Sequence, residues 1–197
     1  MRVGILGGTF DPVHMAHLRL AESAREAIDL DEVLFVPAGD PWRKGERRIT
    51  AAEHRLAMLE LAVAGNNDFA VSEIELRRNG PTYTADTLEE VAGERLDDEF
   101  WFIVGTDALT DMRHWHEPER IVAHATLAVA ARAGEVVDPA ALGVPLLEGR
   151  VVTFAMERLD VSSTDIRARV AAGRSIRYLV PAEVERYIAA HQLYRTP

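Results

Sequence analysis

Gly7-Gly8-Thr9-Phe10-Asp11-Pro12-Val13-His14-Met15-Ala16-His17 follows directly on the apolar run Arg2 to Leu6 and leads into Leu18, Ala21, Ala24 and Ile28 at helical spacing. Strand, glycine loop and helix come in immediate succession. The two glycines let a ligand approach the backbone, Thr9 offers a hydroxyl, and His14 and His17, three apart, share one face of the helix start. A helix N-terminus carries unpaired N–H groups and positive partial charge, so two imidazoles there make an anion site. A lone histidine more often packs or caps; a pair behind a strand and glycine loop favours phosphate. Neither Gly-x-Gly-x-x-Gly nor the Gly-Lys-Ser/Thr of a phosphate loop is present, which argues against hydride transfer and against an ordinary kinase.

Outward from this unit, strands and helices alternate. Strands are predicted at Glu32–Val36, Phe69–Leu76, Phe100–Val104, Leu127–Ala131 and Val151–Phe154. Between them, Thr50-Ala-Ala-Glu53 reads as a capping box opening a helix with Leu56, Leu59 and Val63 inward, and Thr84 or Asp86 opens another through Leu88 and Val91. Short helices are expected around Pro118–Ala123 and from near Ser162, and Pro181 opens a last one to His191. The pattern predicts an α/β, doubly wound, mainly parallel sheet with helices on both faces. Ligands in such folds sit beyond the carboxyl ends of the strands where the strand order reverses, which singles out Gly7–His17 and Gly105-Thr106-Asp107. The expectation is a single domain over residues 1–197, with a helical C-terminal portion from about residue 162.

The formal charge of −10 argues against a nucleic-acid partner, since a phosphate backbone demands a broad excess of Lys and Arg. Hydrophobic residues at 48% without a run of roughly 18 exclude an apolar spanning helix. No signal-peptide pattern follows Met1, so a cytoplasmic setting is expected. The lack of cysteine excludes thiolate chemistry. Two basic islands stand against the acidic background, Arg43-Lys44-Gly45-Glu46-Arg47-Arg48 and Arg167 through Arg177, each beside another phosphate signal. The second adjoins Val161-Ser162-Ser163-Thr164-Asp165-Ile166-Arg167, whose hydroxyls at a helix start can cap it or receive phosphate oxygens.

Gly-Gly-Thr-Phe-Asp-Pro-Val-His at 7–14, Gly80-Pro81-Thr82-Tyr83-Thr84-Ala85-Asp86-Thr87-Leu88 and Ser162-Ser163-Thr164-Asp165-Ile166-Arg167 resemble the bacterial nicotinate-nucleotide adenylyltransferases along essentially the whole chain. The first and last segments are similar to the wider nucleotidyltransferase superfamily; the middle one is more specific and points to the acceptor. The resemblance implies a Rossmann-like nucleotidyltransferase fold and transfer of the adenylyl group of ATP to nicotinate mononucleotide. It implies that Gly7, Gly8, Thr9 and Phe10 lie against ATP with His14 and His17 at its phosphates. Gly105 and Asp107 would hold adenosine, and Ser162, Ser163 and Arg167 would close over the triphosphate. Thr84, Trp115 and the backbone of His116 would form the nicotinate pocket, with Arg132 near the mononucleotide and Lys44 approaching phosphate. His14, His17, Lys44 and Arg167 are then the catalytic candidates. No carboxylate cage for a metal is visible, so Mg²⁺ is expected to arrive with ATP.

The chain departs from the family pattern at Ala16, where the family's His-x-Gly-His reads His14-Met15-Ala16-His17, and at Ala133 in Arg132-Ala133-Gly134. The alternatives are another phosphate acceptor, nicotinamide mononucleotide or phosphopantetheine, and a catalytically impaired nucleotide-binding protein.

Overall fold

The computed structural model describes residues 1–39, 49–131, 147 and 149–195. Six strands form one sheet: β1 (Arg2–Gly8), β2 (Glu32–Pro37), β3 (Phe69–Val71), β4 (Glu99–Gly105), β5 (Thr126–Ala131) and β6 (Val151–Ala155). Their order is β3-β2-β1-β4-β5-β6 and every pairing is parallel, so the sheet expected to be mainly parallel is wholly so among the described residues.

The strand order reverses between β1 and β4. Their ladder ends at Ile5↔Phe102, although β1 runs on to Gly8 and β4 to Gly105. Beyond that point β1 stays paired with β2 as far as Gly8↔Pro37, and β4 with β5 as far as Gly105↔Ala130. The two halves of the sheet therefore part over their last residues, opening the crevice in which doubly wound folds hold ligands.

Strand residues alternate between two cores. Leu6, Val33, Phe35, Trp101 and Ile103 pack under α1 (Met15–Ile28), α2 (Ala52–Val63), α6 (Ser163–Ala171) and α7 (Ala182–Ala190). Val3, Ile5, Leu34, Val36, Phe102 and Val104 pack under α3 (Thr84–Glu94), α4 (Thr106–Asp111) and α5 (Pro118–His124). Burial on both faces is why these strands read as near-continuous apolar runs. A fully buried Phe35 or Ile5 contributes about 1.5–3 kcal/mol each.

Several boundaries differ from the sequence expectation. β3 stops at Val71 rather than Leu76, because the Ser72 hydroxyl accepts the Ile74 N–H and turns the chain out of the ladder. The Thr50 capping box does not form: Ala51 is the N-cap of α2, while the Thr50 carbonyl accepts from Arg55. α1 starts at Met15, two residues before His17, and Pro181 is the N-cap of α7 rather than its first residue. The short helix α4 directly after Gly105 was not anticipated. No helix among the described residues is long and apolar enough to cross a membrane.

Candidate active site

The loop after β1 is shaped by Phe10, whose backbone is left-handed (φ 48°) and whose ring turns inward to 2% exposure. That ring meets His17 edge-on at 5.0 Å and Phe35 at 5.9 Å. A Cβ on Gly8 would lie 3.0 Å from it, so glycine is what lets the ring fold under the loop. The resemblance put Phe10 against ATP; the structure buries the residue and makes its ring the support of His17.

His14 is the N-cap of α1 and His17 is its third residue. Their rings stack at 3.6 Å with 18° between planes, and the His14 N–H donates to His17 Nδ1 at 3.2 Å. An accepting Nδ1 leaves the proton on Nε2, so neutral His17 presents an Nε2–H donor. His14 is only 6% exposed, and burial pushes its pKa down from 6.5 to about 4. It is uncharged at neutral pH, which also spares the stacked pair mutual repulsion.

A base with a depressed folded-state pKa binds its proton more readily in the unfolded chain. The corresponding stability is fully present above pH 6.5 and lost as pH falls through about 4. Over that window His14 accounts for about 3 kcal/mol. Urea titrations at pH 7 and pH 4 are expected to show a smaller acid loss in His14→Asn than in the wild type. Equal losses in the two proteins would remove His14 as the cause.

Beneath the loop lies a set of contacts from distant parts of the chain. Arg55 of α2 is 2% exposed and donates to the carbonyls of Thr9 at 2.9 Å, Thr50 at 3.0 Å and Gly39 at 3.4 Å. Asp11, 3% exposed, accepts the Tyr194 hydroxyl at 2.8 Å, and its carboxylate stands 3.9 Å from Arg167. Burial, and then the Asp11 charge, hold the Tyr194 phenol above its ordinary pKa, so it stays a donor. Arg167 also donates to the Asp11 carbonyl and to Thr164 Oγ1, and the Ser163 hydroxyl donates to the Pro12 carbonyl at 2.9 Å. Ser162 caps α6 by accepting the Asp165 N–H. The side chains of Ser162, Ser163 and Arg167 are thus engaged by α6 and by the loop. Ala16 is half-buried in the first turn of α1, where the Met15 N–H is taken by the Leu179 carbonyl at 2.9 Å.

Among the described residues, clefts at the carboxyl edge of the sheet include two that hold expected site residues. One, of about 180 Å³, is lined by Gly7 and Gly8 of β1 and by Glu75, Thr84, Trp115 and His116. The other, of about 280 Å³, lies past β4 and β5 and is lined by Gly105, Asp107, Met156, Glu157 and Arg158. Of the residues expected at the acceptor, Thr84, Trp115 and His116 line the first cleft, together with Gly7 and Gly8, which were expected at ATP; Gly105 and Asp107, expected at adenosine, line the second. Trp115 is half-buried and meets Phe102 edge-on at 5.9 Å, and His116 lies against Tyr83 at 4.2 Å between ring centres. Lys44 and Arg132 fall outside the described residues. Among the described residues no three acidic or histidine side chains cluster as metal ligands.

Sequence reading missed Arg55, Asp11 and Tyr194 as the loop's supports, and Glu75 and Thr82 in the first cleft. Arg55 left a signal, since it shares a helix face with the fully buried Met58 and Leu59 at spacings of three and four. Tyr194, 183 positions from Asp11, left none.

A cytidylyltransferase-like family model matches residues 5–169, which sets the fold and its loop in the nucleotidyltransferase class. Relatives include a probable nicotinate-nucleotide adenylyltransferase of Thermomicrobium roseum, 49% identical over 99% of this chain and 92% of that one. Another, from a Roseiflexus species, is 47% identical over 98% of both chains. The chain belongs to the nicotinate-nucleotide adenylyltransferase family. Among solved structures, Plasmodium falciparum nicotinic acid mononucleotide adenylyltransferase complexed with NaAD superposes with a TM-score of 0.78 at 19% identity, covering 98% of this chain and 97% of that chain. That likeness is one of fold.

Proposed function

We infer that the protein transfers the adenylyl group of ATP to nicotinate mononucleotide, giving nicotinate adenine dinucleotide and pyrophosphate. Family membership along the whole chain supports the reaction. The observation in the fold that carries it is the pair of clefts on either side of the β1–β4 parting, one for each nucleotide.

An oxygen of the acceptor's 5′-phosphate forms the new bond to the α-phosphorus of ATP as the bond to the β-phosphate oxygen breaks and pyrophosphate leaves. The acceptor phosphate, with a second pKa of about 6, is largely a dianion near neutrality and needs no strong base. His14, buried and neutral, and His17, with its proton on Nε2, suit donation rather than proton abstraction. They stabilise charge growing on the transferred phosphoryl group and on the leaving pyrophosphate, together with Lys44, Arg167 and the N-terminus of α1. Gly7, Gly8, Thr9 and Phe10 offer backbone to ATP, Gly105 and Asp107 hold its adenosine, and Ser162 and Ser163 exchange their present bonds for triphosphate oxygens. Thr84, Trp115 and His116 bind the pyridine end, with Trp115 against the ring, and Arg132 serves the mononucleotide. Mg²⁺ would accompany ATP on its phosphate oxygens and offset part of their charge.

Pyrophosphate release measured side by side with nicotinate mononucleotide, nicotinamide mononucleotide and phosphopantetheine, at equal ATP and Mg²⁺, tests the assignment. Turnover is expected to be highest with the nicotinate acceptor. Equal or faster release with either rival, or none with any acceptor, would sink it.

A further inference from the structure

In the wall of the first cleft the Thr82 hydroxyl is buried and has no hydrogen-bond partner, on a residue only 5% exposed. Its methyl is pressed toward Gly39, where an added Cβ would lie 3.0 Å from Thr82 Cγ2 and 2.3 Å from the Glu75 carbonyl oxygen. The nearby Glu75 carboxylate accepts the Thr87 hydroxyl at 2.8 Å and receives no bond from Thr82. Tyr83 is extended (φ −115°, ψ 139°), so Thr82 and Thr84 project to the same side, and both line the cleft. Thr84 begins α3, an 11-residue helix whose N-terminus favours negative charge. A buried, unpaired hydroxyl destabilises a folded chain, and its persistence in a ligand cleft points to a partner that arrives with the ligand.

We propose that the Thr82 hydroxyl donates to the pyridine carboxylate of the acceptor mononucleotide and, beside Thr84, is a specificity-determining residue for acid over amide. The proposal rests on the acceptor reading of this cleft. A hydroxyl donating to a carboxylate makes a charge-assisted bond, about twice as strong as the bond it makes to a neutral amide oxygen. Thr82 therefore rewards the acid more than the amide. A hydroxyl that only filled space would give no such difference.

Thr82→Val keeps the shape and removes only the hydroxyl. In this variant kcat/KM for nicotinate mononucleotide is expected to fall about ten- to hundredfold, as loss of a bond to a charged group does. For nicotinamide mononucleotide the fall is about three- to tenfold, half as much in free energy, and KM for ATP is unchanged. The melting temperature of the ligand-free variant is expected to be unchanged or raised, since no bond within the protein is lost. Thr82→Ser, which restores a hydroxyl, should return the nicotinate kinetics to within about threefold of wild type. An unchanged nicotinate kcat/KM in the valine variant, an equal loss with both acceptors, or a lowered melting temperature would each overturn the assignment while leaving the enzyme's function standing. A wild-type protein that released no pyrophosphate with nicotinate mononucleotide would overturn the function and this assignment together.

Discussion

His17→Ala is expected to lower kcat by about two to three orders of magnitude, the usual consequence of losing one preorganised transition-state donor. The size follows from how firmly the ring is held. It stacks on His14 at 3.6 Å, meets the Phe10 ring at 5.0 Å and accepts the His14 N–H, so the Nε2–H is oriented before substrate arrives. Such a donor needs no reorganisation as charge develops. KM for both substrates should change much less than kcat, because the bond strengthens mainly in the transition state. Steady-state pyrophosphate release decides the matter: a kcat near the wild-type value would remove His17 from the chemistry.

Arg55→Leu is expected to lower the unfolding free energy by about 3–5 kcal/mol, the range for removing one member of a buried charged network. Leucine retains most of the apolar stem but leaves the Thr9 and Thr50 carbonyls without the guanidinium and deprives buried Asp11 of a nearby positive charge. Burial works against the Arg55 charge and the Asp11 charge works for it, so neither group is well placed without the other. Because the lost bonds hold the nucleotide loop, KM for ATP should rise alongside. Urea unfolding with a midpoint equal to wild type would show that the carbonyls find other donors.

The sheet was legible in the sequence because parallel strands buried on two faces are apolar throughout and the helices between them repeat at regular spacing. β3 was overextended because the alternation from Phe69 to Leu76 persists in sequence while the Ser72 hydroxyl diverts the backbone. Thr50 and Glu53 satisfied a local capping pattern, but the helix starts one residue later, with Ala51 as its N-cap, and Arg55 takes the Thr50 carbonyl. At the site, the glycines and histidines were readable because one strand-loop-helix unit sets them. The burial of Phe10 beneath the loop was not, since an aromatic residue in a loop looks the same whether it faces ligand or core. Asp11 was legible only as a member of the loop, because the arginine and tyrosine that engage it come from α6 and the segment after α7. Thr82 drew no notice beside Thr84, as an unpaired hydroxyl is a property of the folded surroundings.

The bond from Tyr194 to Asp11 spans 183 positions, and those from Ser163 to Pro12 and from Arg167 to Asp11 span 151 and 156. Closing circuits of that length before the intervening sheet exists has an entropic penalty with nothing to offset it. The order of assembly follows: strands and helices first, the brace under residues 9–14 last. An intermediate with its sheet complete and α7 undocked would carry every glycine and histidine of the loop, yet hold them too loosely to retain a triphosphate. Nucleotide binding is thereby expected to be a late event in maturation, one that follows the docking of the segment carrying Tyr194 against the loop.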